Sequence, residues 1–564
     1  MPRLPFSPPT HRALLAGLVL ALVSGCTAGF YKKSADKETF RLLRDKSTKV
    51  PNSGTDLLSI TPPEPINLDQ LEKSFASEAF LGERAHIEKG ARKIDLADAL
   101  RLAVTHNRAY RGEKELVYLS ALDLTLIRQQ FTPILTGVGT GTLNNRPIES
   151  NINTFINQST LTTTGALSLS ALQRTGTRLA VDLTSDFVKF LTGDLRAIGD
   201  SALAVTVAQP LLRGAGYLAA SEVLTQGERS VLYDIRTFTQ YRKSFAVDIA
   251  TQYYRTLQAR ESARNSYLAY QAFIASVERE QLLAETGVRP TKSFYFQVRQ
   301  AQLSGQTRWL TAIQLYEQAL DDLKVQLGLP VKEPILLKSS DLRELDIIDP
   351  PGTLDEAMTT SLVTRLDLWN ARDQVEDAAR QVKIATQNLL PRVDALLGYK
   401  VSGDAAETDR LKFDSRRGNV TAQLDVDLNL NQKPNRNDLR AAQIAEQRAR
   451  RELELAEENV RSSIRQSWRE LELARNQDAI ALEGLKVSEE RVRLETALLE
   501  EGQGTARDLV EAERNLIDAR NAVIATRVNH TLSRLQLWRD MGILFIRKDG
   551  SWASVLEKEP PKGS

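Results

Sequence analysis

One cysteine and four histidines supply all the thiol and imidazole chemistry of this 564-residue chain. His11, His86, His106 and His530 are scattered, with no two at ligand spacing, so neither a metal nor another cofactor is expected. His106 and Asp95 fall on one amphipathic stretch with no nucleophile to serve. Phosphate loops and nucleophile elbows are lacking too, and the chain reads as a non-enzyme. Cys26 is different. Arg3, His11 and Arg12 form a basic start, and an apolar run from Ala13 to Val23 follows, ending Val23-Ser24-Gly25-Cys26. Small residues before a cysteine at that place resemble a bacterial lipobox, in which the thiol receives lipid after removal of residues 1–25. The alternative is an ordinary signal peptide with an incidental cysteine. Thr27 rather than Asp follows, which in lipoproteins of this kind implies sorting to the outer membrane. Lys+Arg 74 against Asp+Glu 72 leaves no basic excess, so no nucleic-acid partner is expected.

What would hold such a chain at a membrane has to come from its other elements. Beyond the first residues no segment is long and apolar enough for a transmembrane helix. Any crossing must then be made by a β-barrel. Residues 26–92 are polar and interrupted by Pro51, Pro62, Pro63 and Pro65, and read as an extended arm. Then the sequence repeats. Asp95-Leu96-Ala97-Asp98-Ala99-Leu100 opens one helical stretch and Thr353-Leu354-Asp355-Glu356-Ala357-Met358 another. Ala99 to Pro133 and Ala357 to Pro391 both span 34 positions. Each proline stops a helix, and each is followed by a change to period two. The spacing predicts an internal duplication, residues 93–330 and 350–545, joined by a linker 331–349 and followed by a tail 546–564.

After Pro391, Val393, Ala395, Leu397 and Tyr399 alternate with polar residues, and Val420 to Leu430 alternate with Thr421, Gln423, Asp425, Asp427 and Asn429. Acids on one face opposite a purely apolar face suit a strand with lipid on one side and water on the other. Leu203, Val205 and Val207 repeat the pattern before Pro210. Two more alternating runs, Leu167–Leu169 and Leu179–Leu183, flank Arg174-Thr175-Gly176 and fit either an added barrel hairpin or an extracellular extension. Long helical patterns follow each set of strands, at about 214–286 and 436–501. In the second, Leu453, Ala456, Val460, Ile464, Ser467, Leu471 and Ala474 form a narrow seam for helix-on-helix packing. At about 1.5 Å per residue the first long helix would reach about 110 Å, close to the summed length of the two shorter helices of its repeat. Four or six strands cannot close a lipid-exposed barrel alone, whereas three copies of four would give about twelve.

In this order the features resemble the outer-membrane factor family typified by TolC, over about residues 93–545. The features are the openers at Asp95 and Thr353, Pro133 and Pro391 at the helix-to-strand joins, and Gln209-Pro210-Leu211-Leu212. To these add Gly287 and Gly502 at helical hairpins and the closers Leu327-Gly328-Leu329-Pro330 and Met541-Gly542-Ile543-Leu544. The resemblance implies a mixed membrane protein: a homotrimer whose outer-membrane β-barrel, with about four strands per chain or more, continues into a long periplasmic α-helical barrel. It implies an exit duct for efflux or type I secretion, working with a periplasmic adaptor and an inner-membrane transporter. Leu283, Gly287, Leu499 and Gly502 mark the adaptor-docking tips. Asp508 and Glu511, six and nine residues beyond Gly502, correspond to acids that constrict the tunnel in the family. The first hairpin departs from the pattern, with Ser293 at the six-after place and Pro290 and Phe294-Tyr295-Phe296 crowding the turn. A lipid-anchored periplasmic coiled-coil scaffold or adaptor is the alternative, which the long alternating strands disfavour.

Overall fold

Proline sets the boundaries between helix and strand. The structure, a computed structural model, describes residues 27–54, 58–62, 65–74, 78–151, 154–192, 197–286, 293–342, 352–403 and 413–552. The segment 1–25, Cys26, Gly287 and Pro290 lie outside the described residues, as do 343–351 and 553–564 in the linker and tail. In chain order come α1 (Ala28–Ser47), β1 (Arg92–Ile94), α2 (Leu96–His106), α3 (Arg108–Gln129), β2 (Ile134–Asn151), β3 (Thr154–Leu172), β4 (Arg178–Phe190) and β5 (Ala197–Pro210). Next are α4 (Gly216–Ala220), α5 (Glu222–Glu285), α6 (Ser293–Leu327) and β6 (Ile335–Leu337). The second repeat follows as α7 (Leu354–Thr364), α8 (Leu366–Gln387), β7 (Arg392–Ser402), β8 (Asn419–Asp427), α9 (Lys433–Glu500) and α10 (Ala506–Asp540). The described residues fall into two compact units: 27–46, Tyr118–Asp234 and Ala371–Leu453 in one; Ser47–Val117, Ile235–Asn370 and 454–552 in the other.

In the first unit six strands form one antiparallel sheet in the order β2-β3-β4-β5-β7-β8. The two additional alternating runs, open between a barrel hairpin and an extension in the sequence, are full strands of this same sheet. The N-terminal segment also differs from the extended arm read from sequence. Residues Ala28–Ser47 are helical, since Pro51 and the later prolines lie beyond the stretch and leave it free to coil. Leu42 and Leu43 are buried there. Phe40 packs on Tyr118 with centroids 5.6 Å apart, and Tyr118 donates to Asp36 at 2.7 Å.

In the second unit the same kind of helix break occurs twice. The helical stretches that open at Asp95 and Thr353 are each broken, once at Asn107 (φ −63°, ψ 129°) and once at Arg365 (φ −73°, ψ 121°). Asn107 stops the first: its side-chain oxygen accepts from Tyr110 N–H at 2.9 Å and so caps the start of α3, while its amide donates to the Gln326 carbonyl of α6 at 2.7 Å. Hydrogen bonds to the side chain offer the backbone an alternative to helix, which periodicity alone does not reveal. Against each break lies a glycine that ends another helix. Gly328 and Gly542 have φ of +76° and +75°, and Leu329 and Ile543 return their N–H groups to Lys324 and Trp538. The start at about 214 also shifts, because Ser221 interrupts the helix between α4 and α5. The seam on α9 holds: Val460 and Ile464 bury with Ala357, Leu368, Leu537 and Met541, while Ala456 and Leu471 pack beside them. A parallel clasp, β1 on β6, pairs Arg92 with Ile335 and Ile94 with Leu337, and Tyr253 donates to the Ile94 carbonyl at 3.1 Å.

Candidate functional site

Register decides what the sheet can do. Leu135, Leu169, Val181, Val205, Tyr399 and Val420 are successive partners across all six strands. One step along, Gly137, Leu167, Leu183, Leu203 and Val401 continue the same face. Between those rows, on the opposite face, run Thr136, Ser168, Asp182, Ala204, Lys400 and Asn419. One face is therefore apolar from edge to edge and the other is polar and charged. A sheet packed on a protein core would bury its apolar face. Here Leu135 is 65% and Leu424 61% exposed, and every residue of β8 is exposed. A face of that kind calls for a covering of lipid or protein.

The joins at Pro210 and Pro391 lie side by side. Pro133 and Pro391 immediately precede β2 and β7, and Pro210 ends β5. Pro210 pairs with Asp394, Leu211 N–H donates to the Val393 carbonyl at 2.7 Å, and Gln387 donates to the Ala215 carbonyl at 2.7 Å. Helix ends and strand ends of the two repeats are thus stitched together.

The two helical hairpins of the second unit pack at one place. Val277, Val298 and Ala506 form a buried cluster, joined by Phe294, Tyr295 and Val510. So the aromatic pair that crowds the first turn fills this cluster, while Phe296 stays 62% exposed. Leu283 is half-buried and Leu499 is buried. Gly502 has φ +76°, and the Leu498 carbonyl accepts from both Gln503 and Gly504 at 2.9 and 2.8 Å. Sequence reading marked Gly502 but missed Gly504, where a Cβ would lie 2.9 Å from Leu499 N. A Gly-x-Gly pair closing a helix was the available signal.

Asp508 and Glu511 each have a partner within the chain. Thr505 caps α10: its hydroxyl accepts from Asp508 N–H at 3.2 Å and donates to the Asp508 carboxylate at 2.6 Å. Glu511 accepts from Arg491 of α9 at 3.2 Å. That pair is partly exposed, so it contributes about 1 kcal/mol or less and can be exchanged for other contacts at little cost. Neither Thr505 nor Arg491 was picked out from sequence; Thr505 three residues before an acid is a capping signal, whereas Arg491 has none. Two residues on, Glu513 lies largely buried, and burial pushes its carboxyl up to about 7, with Arg279 pulling the other way. Among the described residues no group of side chains could hold a metal ion, and no helix is long and apolar enough to cross a membrane.

Comparison with known proteins bears on this arrangement. A family model described as outer membrane efflux protein matches residues 358–542. No curated protein sequence matches the chain. Among solved structures, CusC, described as forming a transmembrane channel, is similar with a TM-score of 0.59 at 14% identity, over 79% of this chain and 92% of that one. The Campylobacter jejuni CmeC outer membrane channel gives 0.58 at 14% identity, over 79% and 85%. The open state of the Neisseria gonorrhoeae MtrE outer membrane channel gives 0.57 at 14%, over 79% and 89%. Residues 358–542 thus match the outer membrane efflux protein family in sequence, and about four-fifths of the chain shares the fold of these outer-membrane channels.

Proposed function

We propose that this chain is the outer-membrane channel subunit of a tripartite efflux pump or type I secretion system, a passive duct opened by a periplasmic adaptor. The observation that carries this reading is the sheet with one apolar and one polar face and two unpaired edges. Such edges are costly in hydrocarbon, so copies of the chain complete one another's hydrogen bonding, three to a channel as the resemblance implies. The apolar face meets lipid and the polar face meets water, while lipid on Cys26 adds a second attachment. The long helices of both repeats form the periplasmic part, and the tips at Leu283, Gly287, Leu499 and Gly502 receive the adaptor, which links the duct to an inner-membrane transporter. Asp508 and Glu511 line the constriction, and three copies bring six carboxylates near one axis, where repulsion favours opening once Arg491 lets go.

Replacing Cys26 by Ser tests the membrane assignment. The unlipidated chain is expected to resist alkaline washing and to need detergent for extraction. Release into water would favour the lipid-anchored scaffold instead. Asp508→Ala with Glu511→Ala is expected to raise single-channel conductance in planar bilayers and weaken block by divalent cations. If conductance and block are unchanged, these acids do not form the constriction.

A further inference from the structure

The β3–β4 hairpin admits two architectures, a wall element or an outward extension, and its turn distinguishes them. An extension would place that turn far from the helices. Instead, the Thr175 carbonyl accepts from Gly216 N–H at 3.3 Å, and the Thr177 hydroxyl bonds to the Gln209 side chain. At Gly176 (φ +91°) a Cβ would lie 3.0 Å from Pro210 and 3.1 Å from the Gly214 carbonyl. The turn is thus seated on the segment that leads from β5 into α4, at the end of the sheet where the helices attach. β3 and β4 run the full depth of the sheet and return.

Their faces agree. Leu167 and Leu169 of β3, with Val181 and Leu183 of β4, stand in the same apolar rows as Leu203 and Val205 of β5. Ser168 and Asp182 stand in the polar rows. A one-residue slip would reverse every side chain, so this match across four ladders assigns both strands to one wall.

We propose, building on the three-copy channel reading, that each copy contributes six strands and that the closed barrel has about eighteen, not twelve. The seam is β8 of one copy against β2 of the next. An even number of antiparallel strands leaves the two edges running in opposite directions, so the seam is another antiparallel pair. Its faces also fit. Val420, Leu424 and Val426 project from the apolar face of β8, and on the same face β2 carries Gly137, Gly139 and Gly141. Nothing lies within 4 Å of a Cβ built at Gly139 or Gly141, leaving room for side chains of the adjoining strand. Because barrel diameter grows roughly in proportion to strand number, the outlet is about 1.5 times as wide as a twelve-stranded one. Eighteen strands enclose an aqueous passage of porin size, suited to hydrated and bulky solutes.

Two measurements on the full chain in detergent test this. Single-particle imaging of the unmodified protein is expected to show eighteen strands. Twelve strands would overturn the proposal and leave the channel reading intact, whereas particles without a shared barrel would remove both. Cysteine pairs then locate the seam. Leu424→Cys is combined in turn with Leu135→Cys, Gly137→Cys and Gly139→Cys of β2, and separately with Leu179→Cys and Val181→Cys of β4. Covalent trimers from at least one β2 pair and none from the β4 pairs are expected. Trimers through β4 would mean that β2 and β3 stand outside the wall, and would overturn the six-strand assignment.

Discussion

At Asn107 the first repeat breaks its helix with a side-chain amide that caps α3 and ties the break to α6. At Arg365 the second makes the same break with a guanidinium that reaches the Asp540 carbonyl at 3.5 Å and Ser463 at 3.4 Å. Different chemistry at equivalent places serves one geometry, because a glycine from another helix must come close to each break. Strand content is not held the same way. Between its helices the first repeat carries four strands and the second two. Antiparallel strands added in pairs leave entry and exit at the same end of the sheet, so the neighbouring helices need not move. A helix packed along its whole length against others has no such freedom. The helical frame is therefore fixed by close contact, while the sheet tolerates growth.

The largest expected effect separates the repeats by what braces them. In the first, Arg260 of α5 holds Glu88 with bonds of 2.8 and 2.9 Å, Glu88 is fully buried, and Tyr316 donates to it at 2.8 Å. Arg260→Ala leaves that carboxylate buried without its cation and is expected to cost about 3–5 kcal/mol in thermal or denaturant unfolding. An effect below about 1 kcal/mol would show that the segment before β1 does not brace the first repeat.

Next come the two glycines. A Cβ at Gly328 would stand 2.5 Å from the His106 carbonyl oxygen, whereas at Gly542 it would stand 3.0 Å from the more adaptable Thr364 hydroxyl. Gly328→Ala is expected to cost about 3 kcal/mol and Gly542→Ala about 1–2, both including strain at positive φ. Equal losses in melting experiments would mean that the left-handed backbone, not the approach to the break, sets the cost.

Eleven residues past each hairpin glycine the first repeat has Val298 and the second Glu513. Because the folded carboxyl titrates near 7, above its unfolded range, the penalty for its charge is absent below about pH 4.5 and complete above about pH 7. Glu513→Gln is expected to match the parent at pH 4.5 and to exceed it by on the order of 2 kcal/mol at pH 8. Parallel melting curves across that range would place the charge in water. The smallest contrast is between caps. Thr353 and Glu356 form a reciprocal capping box, while Asp95 caps Asp98 and also binds Lys338 at 3.0 Å. Thr353→Ala is expected to cost about 1 kcal/mol and Asp95→Ala slightly more, the difference shrinking in high salt.

Much of this frame was legible in the chain itself. Pro133 and Pro391 act through the backbone, so their effect is local and can be read without neighbours. The seam through Val460 and Ile464 was legible because it repeats, and the apolar rows because strand period is fixed at two. Asn107 and Arg365 were not, since each breaks a helix whose hydrophobic pattern continues across the break. Helix Ala28–Ser47 is hidden for the opposite reason: charged residues interrupt its apolar pattern, and its contacts to Tyr118 lie far along the chain. The number of strands in the sheet is not legible in the sequence because it depends on which edges pair. At the hairpin tips, Asp508 and Glu511 follow from family resemblance and Thr505 from its capping position, whereas Arg491 reaches Glu511 from another helix and carries no sequence signal.

The clasp between β1 and β6 has a consequence for the order of events in synthesis. Three residues around Lys93 find their strand only when Leu336 has been made, about 240 residues later, so the first repeat is a loop tied at its end. At ordinary elongation rates that interval is on the order of tens of seconds. A nascent chain stopped at residue 330 has every helix of its first repeat yet lacks the strand that closes it.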